Sequence, residues 1–220
     1  FNQVKLWLID EAHHVLADNT WGKAIALFPN AKGLGVTATP VRADGKGLGR
    51  HADGVMDVIV KGPSMRWLID NGYLTDYKIY CPPSDLDLSQ VHISKSSGDY
   101  NPKEVNQAVV KSHIMGYIVD HYLRLTPGKQ AIVFCTSVEV AEDIAIKFQN
   151  AGVKAACVHG GTEDHLRTKQ LLQFENRELQ VLTNVDLFGE GFDVPAIEVV
   201  IMGRPTESYG LYAQMFGRAL

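Results

Sequence analysis

Four short, β-rich apolar runs alternate with helical patterns through the second half of the chain: Ala131 to Cys135, Ala155 to Val158, Gln180 to Thr183 and Val199 to Met202. A strand that is apolar on both sides has to be covered on both faces. Alternation of strand and helix supplies that cover, so the pattern predicts an α/β fold built on a parallel sheet. Between residues 105 and 125, Val110, Ile114, Tyr117, Ile118, His121 and Leu125 recur at helical spacing, as do Ala141, Ile144, Ala145 and Phe148 further on. Thr136 with Glu139 three residues later reads as a capping box opening that second helix. The first 76 residues read as a strand (Val4 to Ile9), a helix (Trp21 to Leu27), a strand (Gly33 to Thr37), a Gly-rich connection and a helix (Ser64 to Asn71). That is half a sheet.

The intervening stretch holds Pro82-Pro83, Ser96-Ser97-Gly98 and a run of Asp-Leu-Asp-Leu, with no sustained periodicity, and is expected to be a linker. The expected organisation is a first unit at 1–80, a linker at 81–104 and a second unit at 105–220. At about 150 residues per domain, 220 residues make roughly one and a half domains. The chain enters at Phe1 almost within an apolar run and stops at Leu220 inside a helical pattern, so it is expected to be a piece of something longer.

Hydrophobic residues at 45% and charged residues at 21% exclude whole-chain disorder and fibrous architectures. No apolar run approaches the roughly 18 residues of a membrane span, and Asp10, Glu11 and Asp18 stand where a basic leader would lie. Three cysteines without metal-ligand spacing suit buried thiols in a reducing cytoplasm. The net charge of −4 advertises no bulk attraction for nucleic acid, so such a partner would be held locally.

Asp10-Glu11-Ala12-His13 follows the first strand directly, and the carboxyl edge of a parallel sheet is where such folds place ligands. Asp at a strand end can hold Mg²⁺ through a water shell, and a neighbouring Glu can orient or deprotonate an attacking water. The plainer alternative is a pair of capping carboxylates. His13-His14 does not read as a metal site, because adjacent residues share no helix face and no Glu-x-x-His partner completes a ligand set.

Asp10-Glu11-Ala12-His13, Thr37-Ala38-Thr39-Pro40, Gly189-Glu190-Gly191-Phe192-Asp193-Val194-Pro195 and Gln214-Met215-Phe216-Gly217-Arg218, in that order, resemble motifs II, III, V and VI of superfamily two helicases. Leu-Ile-Asp-Glu-Ala-His-His followed by Thr-Ala-Thr-Pro-Val-Arg is similar to bacterial and phage DEAD/DEAH-box helicases of the DNA-repair type. The resemblance implies two RecA-like domains, the first represented by its C-terminal half and the second cut short near its end. It implies ATP and Mg²⁺ as cofactors, with Asp10 on the metal, Glu11 activating water and His13 coupling the nucleotide site to the neighbouring domain. Thr37 and Thr39 would link hydrolysis to domain movement, Asp193 would touch the ribose or relay between motifs, and Gly191 and Thr183 would lie near the nucleic-acid backbone.

Arg218 would be a guanidinium delivered to the γ-phosphate, with Gln214 one turn earlier on the same face; a helix-terminal Arg serving the dipole is the alternative. The partner implied is nucleic acid, DNA ahead of RNA, gripped at helix starts by Thr136-Ser137 and by the His159-Gly160-Gly161-Thr162 turn. Plain capping accounts for both turns equally well.

One part that such a motor requires does not occur in these 220 residues. Gly22-Lys23-Ala24, Gly45-Lys46-Gly47 and Gly128-Lys129-Gln130 all lack the Ser or Thr of a phosphate-cradling Gly-x-x-x-x-Gly-Lys loop. The 220 residues are therefore expected to be inactive alone and to need an upstream part of the same protein. A duplex-DNA translocase subunit of a restriction or remodelling complex and a non-catalytic nucleic-acid-binding module are the other readings. A nuclease using Asp10, Glu11 and His13 would leave Arg218 without a role.

Overall fold

The computed structural model describes residues 1–42, 46–94, 97–187 and 197–220. Two parallel sheets organise it. The first has two strands, β1 (Leu6–Ile9) and β2 (Lys32–Gly35), joined through α1 (Thr20–Ala26) and registered Leu6 to Lys32 and Ile9 to Gly35. The second has four, β3 (Ala131–Phe134), β4 (Ala155–His159), β5 (Val181–Val185) and β6 (Val199–Met202), in the spatial order β4-β5-β3-β6, all parallel. The expected α/β class is the one observed.

Alternation along β3 divides the core of the second sheet. Ala131, Val133 and Cys135 face one side, where they meet α4 (Ile114–Leu125) and α5 (Val138–Asn150) through Ile118, Tyr122, Ile144 and Phe148. Ile132 and Phe134 face the other, against Phe174 of α6 (Asp164–Glu175) and Met215 of α7 (Tyr209–Gly217). Each large side chain removed from water here contributes about 1.5–3 kcal/mol, which holds the sheet between its two helical layers. By contrast β1 and β2 leave Leu6, Leu8 and Leu34 exposed. Among the described residues no helix is long and apolar enough to cross a membrane.

The helical pattern over 105–125 is two helices, α3 (Pro102–Lys111) and α4, broken at Ser112-His113. The break rotates the inward face: Val105, Val109, Ile118, Val119 and Tyr122 are buried, whereas Val110 and Tyr117 are exposed. Asn101 caps α3 by accepting from Lys103 and Glu104 N–H, with Pro102 in the first turn where its missing donor costs nothing. α5 follows its expected face closely, with Ala141, Ile144, Ala145 and Phe148 all buried, but its cap is Ser137, whose hydroxyl accepts from Val140 N–H. The Thr136 hydroxyl instead bonds Asn106 of α3 at 2.7 Å. Of the thiols, Cys135 is buried and pushed up to about 12 by desolvation, while Cys81 is exposed, contrary to the expectation of buried thiols.

Glu198 fastens the amino edge of the second sheet. Its carboxylate accepts from Lys129 Nζ at 2.6 Å, Gln130 N at 3.0 Å and Arg177 Nη1 at 3.3 Å. The Lys129 bond, seconded by the Gln130 N–H, holds this carboxyl below its ordinary value of 4.5. A lowered folded-state value means stability that is fully present above the unfolded value and lost as pH falls through the folded one. Glu198→Gln is expected to destabilise the chain by about 1 kcal/mol at pH 7, with the difference from wild type shrinking below the ordinary Glu value; urea unfolding at pH 7 and pH 3.5 measures both. A difference that is equal at the two pH values would contradict this assignment.

Candidate nucleotide and nucleic-acid site

Parallel pairing of β1 with β2 brings two separate sequence segments to one edge. Val36 N donates to Ile9 O at 2.9 Å and Ala12 N to Val36 O at 3.0 Å, so the chain leaving β1 is laced to the chain leaving β2. Gly35 allows that approach: a Cβ there would stand 2.6 Å from the Ala12 Cβ. Asp10 is exposed, and its Oδ1 accepts the Glu11 N–H at 2.8 Å. Glu11 itself occupies the left-handed region at φ 48, a conformation that costs a non-glycine residue roughly 1–2 kcal/mol and that is favoured at functional turns.

His13, largely buried, is the junction. Its Nδ1 lies 2.9 Å from Thr37 Oγ1 and 3.3 Å from Glu11 Oε2, and Thr37 Oγ1 also accepts the Thr39 N–H at 3.1 Å. His13, Thr37 and Thr39 are thus joined by hydrogen bonds, with the Glu11 carboxylate within ion-pair range of the same His13 Nδ1. The Thr39 hydroxyl is buried with no hydrogen-bond partner among the described residues, a polar group oriented by the backbone and unspent in this arrangement.

The second sheet presents its own carboxyl edge. The loop leaving β3 turns to the α5 face, while the loop leaving the adjacent β6 turns to α7 on the opposite face. A cavity of about 290 Å³ opens between them, lined by Phe134, Asp186, Arg204, Gln214 and Met215 among others. Gln214 thus lines this cavity. Arg218 is the C-cap of α7, and the residues on either side of it are held by the first part of the chain. Tyr77 meets the Phe216 ring edge-on at 4.8 Å, and Thr75 N donates to Leu220 O at 3.0 Å.

Ser137 and Thr136 sit at the end of β3, and Gly160 and Thr162 at the end of β4, two strand positions away or about 10 Å. Within the second turn, Thr162 Oγ1 accepts from His159 N at 3.0 Å and the His159 ring accepts from Gly161 N at 3.1 Å. Thr183 is the exception. It is fully buried in β5 and donates its hydroxyl to Ala141 O at 2.7 Å, tying strand to helix and leaving no side-chain atom for a nucleic acid. Gly191 and Asp193 lie outside the described residues.

Residues 111–220 match the family described as helicase conserved C-terminal domain, and residues 1–42 match the type III restriction enzyme, res subunit. The chain belongs to the superfamily two helicases. Among this helicase's relatives, a 51.5 kDa protein of Lactococcus phage (isolate 7-9) is 38% identical over 215 residues, covering 98% of this chain and 46% of its own. IRC3 of Saccharomyces cerevisiae, provisionally named an ATP-dependent helicase, is 29% identical over 231 residues, covering 100% of this chain and 32% of its own. The ATP-dependent DNA helicase RecQ of Bacillus subtilis is 29% identical over 133 residues, covering 59% of this chain and 22% of its own. The helicase chain thus spans less than half the length of each of these relatives.

Among the described residues no three His, Cys, Asp or Glu side chains stand together as a metal cage. Asp10 is a single exposed carboxylate at a strand end, which fits a Mg²⁺ ion that keeps most of its waters and takes its remaining ligands from substrate phosphates.

Proposed function

We propose that this chain is the catalytic middle of an ATP-dependent motor that moves on nucleic acid, with DNA as its track. The observation that carries the proposal is the run of contacts from Glu11, in ion-pair range of His13, through the His13–Thr37 and Thr37–Thr39 hydrogen bonds. It links a carboxylate able to take a proton from water to a segment on the next strand, as a device converting hydrolysis into movement requires. In this reading residues 1–80 complete a first RecA-like unit begun upstream, 81–104 connect, and 105–220 form the second.

Asp10 would hold Mg²⁺, which when bound neutralises charge on the phosphate oxygens. Glu11 orients and deprotonates the attacking water. Arg218, with Gln214 beside it, meets the charge that develops on the phosphoryl group as the two units close. Asp193 contacts the ribose, and Thr136, Ser137, Gly160, Thr162 and the backbone at Gly191 grip the track through its phosphates, a mode that a chain of net charge −4 can use. The similarity of the Asp10-Glu11-Ala12-His13-His14 and Thr37-Ala38-Thr39-Pro40 segments to DNA-repair-type helicases is what supports DNA over RNA.

These 220 residues contain no Gly-x-x-x-x-Gly-Lys-Ser/Thr loop, so the purified chain alone is expected to release no phosphate above background. The full-length protein is expected to hydrolyse ATP faster when DNA is added than when RNA is. Turnover by the 220 residues that disappears with Glu11→Gln would overturn the first expectation, and preferential stimulation by RNA the second. The match of residues 1–42 to a restriction-enzyme subunit favours one second reading, a translocase that tracks duplex without parting its strands. Displacement of a third strand from a triplex, without separation of a forked duplex, would select it.

A further inference from the structure

Among the described residues, the stretch between α2 (Met65–Asp70) and α3 is almost free of regular structure, yet one turn of it is fastened firmly to the second sheet. Asp99 is only 7% exposed. Its Oδ1 accepts N–H groups from Tyr100 at 2.8 Å and from Glu207 at 2.7 Å, and its Oδ2 lies 3.8 Å from Arg204 Nη2. The Tyr100 hydroxyl donates to Glu207 Oε1 at 2.6 Å, so the turn and the loop between β6 and α7 are bonded at several points. Arg204 continues the chain by donating from Nη1 to the Asp186 carboxylate. Asp186 is the first residue beyond β5 and sits in the left-handed region at φ 50.

A guanidinium offers its donors in a rigid planar fork, and one engaged by carboxylates on two sides cannot swing without losing a partner. Arg204 is four-fifths covered and lines the cavity together with Asp186 and Gln214. Three parts of the chain, the connector at Asp99, the β6–α7 loop at Arg204 and the exit of β5 at Asp186, therefore share one cation.

We propose that Asp99 is a positioning residue: through Arg204 it fixes Asp186 and the cavity wall, so that the placement of the connector is felt at the carboxyl edge of the second sheet. Its effect on turnover rests on the motor reading above; its effect on the geometry does not. Asp99→Asn separates the two contributions of this side chain, because an amide oxygen still accepts from Tyr100 and Glu207 while the charge facing Arg204 is gone.

In the full-length protein, amide exchange at residues 185–187 is expected to quicken by about tenfold in D99N, with β3 and α5 unchanged. The kcat of nucleic-acid-stimulated ATP turnover is expected to fall about tenfold with KM for ATP moving less than about twofold. In an Arg204→Ala background D99N should add little to either effect. Unchanged exchange at 185–187 in D99N, or an undiminished D99N effect without Arg204, would overturn the proposal. Absence of ATP turnover in the wild-type protein would count against the motor alone, since the exchange measurement decides the positioning role independently.

Discussion

Replacing Arg218 with Ala in the full-length protein is expected to lower kcat for nucleic-acid-stimulated ATP hydrolysis by roughly 10³-fold or more, the range found when a guanidinium that meets a transferring phosphoryl group is removed. Arg218 is the C-cap of α7, where the attraction of a cation to the helix dipole contributes about 0.3–1 kcal/mol. Its neighbours are anchored independently, Phe216 by the Tyr77 ring and Leu220 by the Thr75 N–H, so the helix end should stay in place when the side chain is cut. Arg218→Lys keeps the charge but not the fork, and is expected to recover only a small part of the rate. Measured binding of a non-hydrolysable ATP analogue should weaken far less than kcat falls. A variant that loses analogue binding and turnover in equal proportion would place Arg218 in ground-state binding instead.

What could be read from the sequence depended on the range of the interaction. Strand β6 falls at Val199–Met202 as its apolar run predicts, and the inward face of α5 is the predicted one, because both follow from period and burial within a few residues. The split between α3 and α4 escapes periodicity, since its determinants are partly distant. The Ser112 hydroxyl closes onto Val109 O, and Asp85, far upstream, takes the His113 N–H at 3.0 Å and its ring Nδ1 at 2.6 Å. Thr136 and Ser137 are both good capping types, and only the extended backbone of Ser137, at φ −150 and ψ 166, decides between them.

The candidate site divides the same way. Asp10 and Glu11 follow β1 in the sequence and Thr37 lies two residues beyond the end of β2, so parallel register brings these segments to one edge. Thr183 looked equally suitable, but a position inside a strand, where β5 is flanked on both sides, turns the hydroxyl to the helix packed above it. The Asp99–Arg204–Asp186 bridge left no local signal, since its members belong to three separate segments of the chain. The Asn101-Pro102 pair that starts α3 did leave one, a capping residue followed by a proline at the first helical position.

Glu11→Gln is the complementary experiment on the other side of the proposed cleft. Removing a positioned general base typically costs about 10²–10⁴ in rate. The amide keeps the size of the side chain, and the left-handed turn at φ 48 depends on the backbone and on the Asp10 bond to the Glu11 N–H, neither of which the substitution touches. Turnover by the full-length protein is therefore expected to fall by roughly 10³-fold with nucleotide binding retained. The contact with His13 sharpens the test. Loss of the carboxylate 3.3 Å from Nδ1 should change the NMR chemical shifts of the His13 ring in E11Q, while the 2.9 Å approach of Thr37 persists. If turnover survives E11Q but falls in Asp10→Asn, the strand-end carboxylate is required as proposed and Glu11 serves only to set the His13–Thr37 pair. If neither variant slows hydrolysis, the edge formed by β1 and β2 is not where the phosphoryl group is transferred.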